Sequence, residues 1–376
     1  MNSTYLIMKA ILRTSLLLLF FLRGFDSLGQ ETSKLRLAVA GLNHGHVGWV
    51  LSSMNRGDYE IVGISESNRE LAEKYSKQYG FSMSLVYDDL NEMLEKSHPE
   101  AVAAFGDTFS HLAIVKAAAP KGIHVMVEKP LAVSKEHALE MKEMASQYGI
   151  HLLTNYETSW YPSNHEAKRL LESGEIGNVK KVIVRDGHRG PKKIGVGPEF
   201  LEWLTDPKLN GGGALMDFGC YGANLMTWLM NGESPISVTA ITQQLQPENN
   251  PKVEDDATII VNYSTAQVII QASWNWPIGR KDMEIYGETG AIFADNRHQL
   301  RIRLAEGYDG FDERTLQLPE LPAPYPDPFL LLKAVIRDEI QLPPFDLYSL
   351  ENNMIVMDIL QAAKESAETG KTVYFK

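Results

Sequence analysis

The stretch of sequence that decides the fold is Ile123-His124-Val125-Met126-Val127-Glu128-Lys129-Pro130. It is an apolar, β-forming run that ends abruptly in a carboxylate, an amine and a proline. Because proline cannot continue a central strand, the strand must stop or kink there. Ligands of α/β proteins bind at the carboxyl ends of parallel strands, so Lys129 is the first candidate functional residue. A solvated lysine at an ordinary strand end would be the simpler interpretation if this were the only signal.

Strand-like and helix-like segments alternate on both sides of this stretch. Apolar β-forming runs predict further strands at 35–40, 61–66, 101–105 and 150–155. Helical spacing of apolar residues predicts a helix after each of the first three runs, a further short helix capped by Asp88, and another helix over 134–148. Alternation sustained over about 120 residues is typical of a doubly wound parallel sheet, and we therefore predict an α/β Rossmann domain over residues 30–156.

The second half of the chain has a different pattern. Longer alternating segments predict strands at 179–185, 235–243, 257–263, 267–275, 282–287 and 298–304. They indicate an α+β domain over 157–376, with a large, mainly antiparallel sheet that leaves one face open to solvent or to a partner. A capping box at Ser163 to Glu166 predicts the start of a helix. A long loop is expected at 187–212, and helices at 213–230 and 348–368.

Composition narrows the classes of function. The chain has 376 residues and a formal net charge of −12, which argues against binding to the phosphate backbone of nucleic acid. Cys220 is the only cysteine, so neither an intramolecular disulfide nor a cysteine-based metal cluster can form.

Residues 1–29 have the pattern of a secretory signal peptide. Basic residues precede an apolar run over 16–22, and Ser27-Leu28-Gly29 places small residues at the positions that a signal peptidase reads. The run is short for a membrane span and Arg23 interrupts its end, so we expect cleavage rather than stable membrane insertion. The mature protein is then exported, in the periplasm, and it crosses the membrane unfolded because no paired arginines precede the run.

The turn after the first strand is where a dinucleotide would bind. Of the fingerprint G-x-G-x-x-G, only Gly41 is kept, with Asn43 in the second place, His46 in the third and Gly45 shifted by one. Asparagine tolerates positive φ, and the following helix still offers its amides to a phosphate. Glu66 ends the second strand, where an acid binds ribose hydroxyls and repels a 2′-phosphate, which favours NAD over NADP.

Two histidines in this turn raise the question of a metal. His44 and His46 lie close in sequence, but a zinc site needs a third and a fourth ligand. We predict no metal, and expect the two imidazoles to shape the cofactor turn or to reach the substrate.

With these segments placed, the chain resembles the Gfo/Idh/MocA family of glucose–fructose oxidoreductase and inositol dehydrogenase. Four features carry the resemblance, and they are the strand and turn with Gly41, Glu128-Lys129-Pro130, the run from Gly211 to Gly219, and 362–367. The family implies a Rossmann domain, a nicotinamide cofactor, a sugar, cyclitol or polyol substrate, and a C-terminal sheet that often builds a homo-oligomer.

Carried over by position, Lys129 resembles the active-site lysine of the family, with Glu128 positioning it and a cis bond to Pro130. His111 matches the histidine that follows the fourth strand, and Asp217 matches the acid of the pattern D-x-G-x-H-x-x-D. Here Tyr221 replaces the histidine of that pattern and Asn224 replaces its second aspartate.

This replacement leaves the general base open. Tyr221 beside a protonated Lys129 can serve, because a cation favours the phenolate. His188, at the end of a strand and the start of the long loop, is the competing candidate. Asn155, Tyr156 and Glu157 leave the last Rossmann strand and are expected to line the cleft with them and bind substrate.

The function expected from these features is NAD-dependent oxidoreduction of a sugar, polyol or glycoside. Export leaves little free NAD, so the cofactor is expected to be tightly bound and recycled. One alternative is an NAD-dependent glycoside hydrolase that oxidises, eliminates, hydrates and reduces. A less favoured alternative is a non-catalytic sugar-binding protein.

Overall fold

The computed structural model describes residues 33–375. The predicted signal peptide, residues 1–29, lies outside the described residues. Within the described range, none of the helices combines the length and the apolar character that crossing a bilayer requires.

The first sheet has six strands in the order β3-β2-β1-β4-β5-β6, and its registered pairs are parallel. Its strands are β1 (Leu35–Ala40), β2 (Tyr59–Ser65), β3 (Val86–Tyr87), β4 (Ala101–Ala104), β5 (His124–Glu128) and β6 (Leu152–Asn155). The chain runs outward from β1 in one direction and from β4 in the other, so the ligand-binding switch point of the sheet lies between these two strands. The prediction of a doubly wound parallel sheet is confirmed.

Five helices connect these strands. They are α1 (Val47–Ser52), α2 (Arg69–Tyr79), α3 (Leu90–Ser97), α4 (His111–Ala118) and α5 (Lys135–Tyr148). Ser134 caps α5, with its side chain accepting from His137 N. The cap of α3 is Asp89 rather than the predicted Asp88, because Asp89 takes the extended conformation and accepts from Glu92 N.

The second sheet has nine strands in the order β14-β13-β12-β11-β7-β10-β9-β8-β15. They are β7 (Lys181–Gly187), β8 (Ser237–Gln243), β9 (Asp256–Asn262), β10 (Gln267–Ser273), β11 (Arg280–Tyr286), β12 (Gly290–Ala294), β13 (Gln299–Glu306), β14 (Gly310–Gln317) and β15 (Val373–Tyr374). Only β7 and β10 pair in parallel, and the other pairs are antiparallel. The predicted large, mainly antiparallel sheet is therefore confirmed.

Helices cover one face of this sheet. They include α6 (Pro162–Glu172), α9 (Ala214–Asp217), α10 (Gly219–Leu229) and α12 (Leu350–Thr369). In contrast, α11 (Pro328–Ile336) packs against the Rossmann sheet, where its Phe329 contacts Tyr59 and Phe105. Strand residues alternate between buried and half-buried along β7, β9 and β10, which is the pattern of a sheet with one covered face. The helix predicted over 213–230 is in fact two helices. Phe218 lies between them and is both the C-cap residue of α9 and the N-cap residue of α10.

Two expectations about local structure are wrong. The capping box at Ser163 to Glu166 does not form, because α6 already begins at Pro162, whose fixed φ suits the first helical position. The predicted loop over 187–212 contains two short helices, α7 (Pro191–Ile194) and α8 (Pro198–Leu204), and each of them also begins with proline.

Candidate active site

Lys129 follows directly on β5, whose last four residues are buried. The Lys129–Pro130 peptide bond is cis, as the resemblance implied. The side chain of Lys129 is only 6% exposed, and that small exposed part opens into a pocket of about 820 Å³. A pocket of this size falls within the range of roughly 300–1,000 Å³ of small-molecule sites.

Lys129 is paired with Asp217, the last residue of α9. Its ammonium donates to Asp217 Oδ1 and, at 3.1 Å, to the Asp217 carbonyl. Trp274 Nε1 donates to the other carboxylate oxygen at 2.9 Å. Burial disfavours both charges, but the attraction between them prevails, and the pKa of Lys129 is raised while the pKa of Asp217 is lowered. The structure thus holds a charged lysine at the wall of the pocket.

Tyr221, in the first turn of α10, also lines the pocket, but its geometry differs from the predicted tyrosine–lysine pair. The ammonium of Lys129 lies over the ring face of Tyr221, 5.1 Å from the centroid, and Lys281 lies 4.7 Å from it. Burial and the charge of Glu157 raise the pKa of Tyr221 well above its ordinary value. The expectation that Lys129 would favour the phenolate is wrong, because the cation faces the ring and burial prevails.

His188 lines the same pocket at the start of the long segment after β7. Its Nδ1 accepts a hydrogen bond from Gly190 N at 3.0 Å, and its ring meets Phe218 edge-on. Burial lowers the pKa of His188, although the charge of Asp217 opposes this. Since Nδ1 accepts, the neutral ring carries its proton on Nε2.

Glu128 does not position Lys129 in the way predicted, because its hydrogen bonds go elsewhere. Its Oε1 accepts from Asn155 Nδ2 at 2.7 Å, and its Oε2 lies 2.9 Å from His46 Nδ1. Glu128 is 2% exposed, and burial raises its pKa. The hydrogen bonds of Glu128 therefore connect β5 to β6 and to the first turn of the Rossmann sheet.

The first turn fits a dinucleotide in several respects. Gly41 has a φ of +84°, and a Cβ there would lie 2.7 Å from the backbone of Gly106, so the turns after β1 and β4 meet across the switch point. Glu66 is oriented by two backbone amides, since Leu42 N donates to Oε2 at 2.9 Å and Asn68 N donates to Oε1 at 2.8 Å. A carboxylate with two lone pairs left can still accept from ribose hydroxyls.

Two buried acceptors near this switch point have no partner among residues 33–375. They are Asn43 Oδ1 and His111 Nε2, the latter on a ring whose Nδ1 contacts the Leu131 carbonyl at 3.1 Å. A buried acceptor without a partner is costly, and a bound ligand that carries hydroxyl or amide donors would relieve it. Asn43 has a negative φ, so the turn does not use the tolerance for positive φ that the sequence suggested.

His44, His46 and Glu128 form a cluster of side chains close enough together to bind a metal ion. Their donor atoms lie within 4.8 Å of one another. Glu128 thus supplies the third donor whose absence was the reason for predicting no metal, and that reason is wrong. Both imidazoles, however, already use Nδ1 in hydrogen bonds, and the charge of Lys129 acts on each of them. The absence of a metal stays a prediction.

The segment after β7 folds back over the first turn. Trp203 Nε1 donates to the Asn43 carbonyl at 3.1 Å, and the ring of Phe200 lies 4.9 Å from that of His44. Glu199 Oε1 accepts from Lys74 of α2 at 2.9 Å. The segment that was expected to be a loop is thus part of the pocket wall, against the Rossmann sheet.

Three residues predicted to bind substrate and one predicted to bind the cofactor do not line the pocket. Asn155 is 1% exposed and Tyr156 is fully buried, so both lie behind the pocket rather than along it. Glu157 pairs with Lys281 and accepts from Tyr161, both of which line the pocket. His111 is 1% exposed in the first turn of α4. Of the predicted residues, Gly45, His46, Lys129, His188, Asp217 and Tyr221 line the pocket.

Several residues that line the pocket were not predicted from the sequence. Lys281 and Arg280 come from β11, and Arg297 from the turn before β13. Asp186 in β7 pairs with Lys281 across the strands but does not itself line the pocket. It is 1% exposed, has no partner for either oxygen within the described part of the chain, and has a pKa raised well above normal by burial. The alternation in β11 places Lys281 and Met283 on one face, and this was the available signal for Lys281.

Two sequence models of one protein family match the chain. The model for the oxidoreductase family with an NAD-binding Rossmann fold matches residues 35–156, and the model for the GFO/IDH/MocA C-terminal domain matches residues 164–293. The two matches together span more than half of the chain.

Curated relatives are similar at low identity. A trans-1,2-dihydrobenzene-1,2-diol dehydrogenase of Xenopus laevis is 26% identical over 223 residues, which are 59% of this chain and 63% of the relative. A D-xylose 1-dehydrogenase [NADP(+)] of Haloarcula marismortui is 22% identical over 76% of each chain. The first match thus spans less than two thirds of the length of that relative.

Solved structures show the same fold over almost the whole chain. An aldose–aldose oxidoreductase from Caulobacter crescentus superposes with a TM-score of 0.76, at 21% identity over 91% of this chain and 100% of the other. An inositol dehydrogenase homologue from Azotobacter vinelandii, solved with NAD+, gives a TM-score of 0.77 at 18% identity, over 92% and 98%.

Proposed function

We propose, because the chain belongs to the Gfo/Idh/MocA family of oxidoreductases with an NAD-binding Rossmann fold, that it oxidises or reduces a sugar, polyol or glycoside with NAD. The observation that carries the proposal is the buried, charged Lys129, paired with Asp217 at the wall of a pocket of about 820 Å³. The names of the relatives, which include a xylose dehydrogenase and an aldose–aldose oxidoreductase, support the class of substrate.

The cofactor would be held at the switch point between β1 and β4. Gly41 lets the turn approach it, Glu66 is oriented to accept from ribose hydroxyls, and Asn43 and His111 offer unpartnered acceptors. When bound, NAD supplies the acceptor for a hydride from an alcohol carbon. The proposal of NAD over NADP rests on Glu66, whose negative charge would repel a 2′-phosphate.

Lys129 would act on the substrate oxygen. Its ammonium is fixed by Asp217 in a buried position at the wall of the pocket, so it would already be placed to stabilise charge that develops on the oxygen of an alcohol being oxidised. Its raised pKa keeps it protonated at neutral pH, which suits a hydrogen-bond donor and not a base. The proton of the alcohol must therefore go to another group.

The lining of the pocket is suited to binding several hydroxyl groups. Lys281, Arg280 and Arg297 offer donors, and Asp295 and Asn296 offer acceptors. Aromatic faces are present beside them, since Phe218 and Tyr221 line the same pocket. Hydrogen-bonding groups beside aromatic rings would suit a sugar or cyclitol, which carries several hydroxyl groups on a ring.

We infer that the protein is exported to the periplasm and keeps its cofactor through successive turnovers. Purified mature protein, residues 30–376, is denatured, and the released dinucleotide is measured. We expect close to one NAD for each chain without any added cofactor. If no dinucleotide is released, and none binds when NAD or NADP is added, the oxidoreductase proposal fails and a binding protein is favoured.

A substrate panel tests the reaction itself. D-xylose, D-glucose, myo-inositol and p-nitrophenyl glycosides are incubated with the protein and NAD. Formation of a keto or lactone product from a free sugar or polyol, with reduction of NAD, supports the dehydrogenase. Release of p-nitrophenol without net reduction of NAD would instead support the glycoside hydrolase that recycles its cofactor.

We also propose that the protein forms a homo-oligomer through the second sheet. Ile183, Ile269 and Ile260 are direct neighbours across β7, β10 and β9, on the half-buried face away from the helices. A row of apolar side chains on an uncovered sheet face is stabilised when a second copy of the chain covers it.

A further inference from the structure

His46 is the outer member of a buried chain of hydrogen bonds that ends at the pocket. Trp160 Nε1 donates to Asn155 Oδ1 at 3.1 Å, Asn155 Nδ2 donates to Glu128 Oε1 at 2.7 Å, and Glu128 Oε2 lies 2.9 Å from His46 Nδ1. Trp49 stacks on the His46 ring with centroids 3.8 Å apart. The ring is therefore held on one edge and one face, and His46 lines the pocket together with Lys129.

The carboxylate decides which nitrogen of His46 carries the proton. A carboxylate only accepts hydrogen bonds, so Nδ1 of the neutral imidazole must carry the proton and donate it to Glu128. Nε2 is then the nitrogen with a free lone pair. It has no hydrogen-bond partner in the part of the chain that the structure describes, and it is not among the fully buried atoms.

The two other candidates for the general base, His188 and Tyr221, hold protons on the atoms that would have to accept one. His188 accepts from Gly190 N at Nδ1, so its Nε2 carries the proton and is a donor toward the pocket. The hydroxyl of Tyr221 holds its proton more tightly than an ordinary tyrosine does. Among these three pocket side chains, only His46 offers an unprotonated nitrogen.

Burial and the charges around His46 together lower the pKa of its imidazole, so the ring is neutral before reaction. Burial lowers its pKa, and the cations Lys129 and Lys281 lower it further, whereas the carboxylates of Glu157 and Asp217 raise it. His44, whose ring lies 4.7 Å away, is itself kept neutral by burial. Together with Glu128, these are the titratable groups that face the imidazole.

We propose that His46 is the general base of this site and that Glu128 is its positioning residue, an assignment that rests on the proposed oxidoreductase function. The hydroxyl proton of the substrate moves to Nε2 of His46, which becomes an imidazolium. The carbon–oxygen double bond forms, and the hydride leaves the same carbon with its electron pair, taken up by bound NAD+. Lys129 keeps its proton and donates a hydrogen bond to the substrate oxygen throughout.

The first test measures the tautomer without any substrate. Mature protein is labelled with ¹⁵N-histidine, and the ring nitrogens are assigned by comparison with His46→Gln and His188→Gln. We expect Nδ1 of His46 and Nε2 of His188 to carry the proton at neutral pH. A proton on Nε2 of His46, or a divalent metal that copurifies with the protein and is lost in His46→Gln, would overturn the assignment.

The second test uses the panel substrate that the wild type oxidises fastest. His46→Ala should lower kcat by about 100-fold or more, the contribution typical of a general base, and added imidazole should restore part of it. The exposed His151→Ala serves as the matched control and should keep the wild-type rate. Glu128→Gln should change the pH profile of kcat, because the amide no longer fixes the tautomer.

The outcomes separate this assignment from the proposed function. If the wild type is active and His46→Ala has the rate of the control, the assignment to His46 fails while the oxidoreductase stands. A loss of activity in His46→Ala without rescue by imidazole and with an unchanged pH profile in Glu128→Gln also contradicts it. If the wild type neither binds NAD nor oxidises the panel, the proposed function itself fails.

Discussion

At the scale of single residues, the site is organised by the buried pair of Lys129 and Asp217. Each charge would be costly alone in this environment, and each is acceptable because the other is within hydrogen-bond distance. Trp274 adds a donor to the remaining carboxylate oxygen. The pair thus fixes the end of β5 to α9 and holds a cation at the pocket.

Replacing Asp217 should be more harmful than replacing both partners. Asp217→Asn leaves an uncompensated lysine in the interior and should lower the free energy of unfolding by about 3–5 kcal/mol. The double variant Lys129→Met with Asp217→Asn should recover a large part of this loss, because no unpaired charge is left. Denaturant unfolding of both variants checks this, and equal losses in the two would argue against the pair as described.

Asp186 gives a pH-dependent prediction. Burial raises the pKa of its carboxyl in the folded protein above the unfolded value, so the folded state holds the proton more tightly. Stability is then fully present below the unfolded pKa and declines as pH rises toward the folded pKa. Asp186→Asn should therefore be more stable than wild type at about pH 8 and equal to it at about pH 4.

Unfolding by urea at the two pH values measures this difference for Asp186→Asn. The exposed Asp309→Asn is the control. A variant at Asp186 that is less stable than wild type at the higher pH would mean that the carboxylate is ionised and paired in solution.

The sequence allowed some of the site to be predicted. Lys129 and Asp217 stood in segments whose order and spacing matched a family, and they do meet. The contact of Glu128 with His46 could not be foreseen, because it joins the end of β5 to a turn more than 80 residues earlier. Lys281 was missed for the same reason, since it reaches the site by pairing of β11 with β7.

At the scale of elements, the run Gly211-Gly212-Gly213 shows why the segment before α9 needs glycine. Gly211 has a φ of +83°, and a Cβ on it would lie 2.7 Å from the Val133 carbonyl oxygen. A Cβ on Gly213 would lie 1.8 Å from the carbonyl oxygen of Glu254, whose side chain accepts from Gly213 N and Leu215 N. This close approach fixes the start of α9 and, through it, Asp217.

Gly213→Ala should therefore be among the most damaging single substitutions in the chain. The clash is with backbone, which cannot move away without shifting α9, so we expect a loss of more than about 4 kcal/mol in the free energy of unfolding. Gly279→Ala is the matched control, because its Cβ would meet nothing closer than 3.8 Å. Thermal unfolding of the two variants should separate them clearly, and similar midpoints would contradict the packing.

A strand whose residues do not alternate between buried and exposed was not predicted from the sequence. β14 is exposed along nearly its whole length, so it lacks the alternation by which strands are recognised, and its charged side chains instead pair across to β13, as Glu313 does with Arg303. Five of the six Rossmann strands were predicted, because their mainly buried residues give continuous apolar runs. The two-residue β3, half-buried at the edge of the sheet, was not predicted.

At the scale of the whole molecule, the uncovered face of the second sheet should decide the oligomeric state. Ile269 lies in the centre of the isoleucine row formed with Ile183 and Ile260. A carboxylate there would be desolvated in any interface built on this face, at a cost of several kcal/mol. Ile269→Asp should therefore convert the proposed oligomer to a monomer.

Light scattering of the purified mature protein measures its mass in solution. Ile278→Asp is the control, because Ile278 is 76% exposed in a loop, and it should keep the wild-type mass. A monomeric wild type, or an unchanged mass for Ile269→Asp, would exclude assembly through this face.

The central claim is that Lys129 acts on the substrate oxygen in an NAD-dependent reaction. The most direct measurement compares wild type and Lys129→Ala for bound NAD, released by denaturation, and for oxidation of the fastest panel substrate by the same samples. We predict that Lys129→Ala keeps its NAD and loses turnover, because the cation is lost from the pocket wall while the turn after β1 is intact. Turnover at the wild-type rate in Lys129→Ala would contradict the claim.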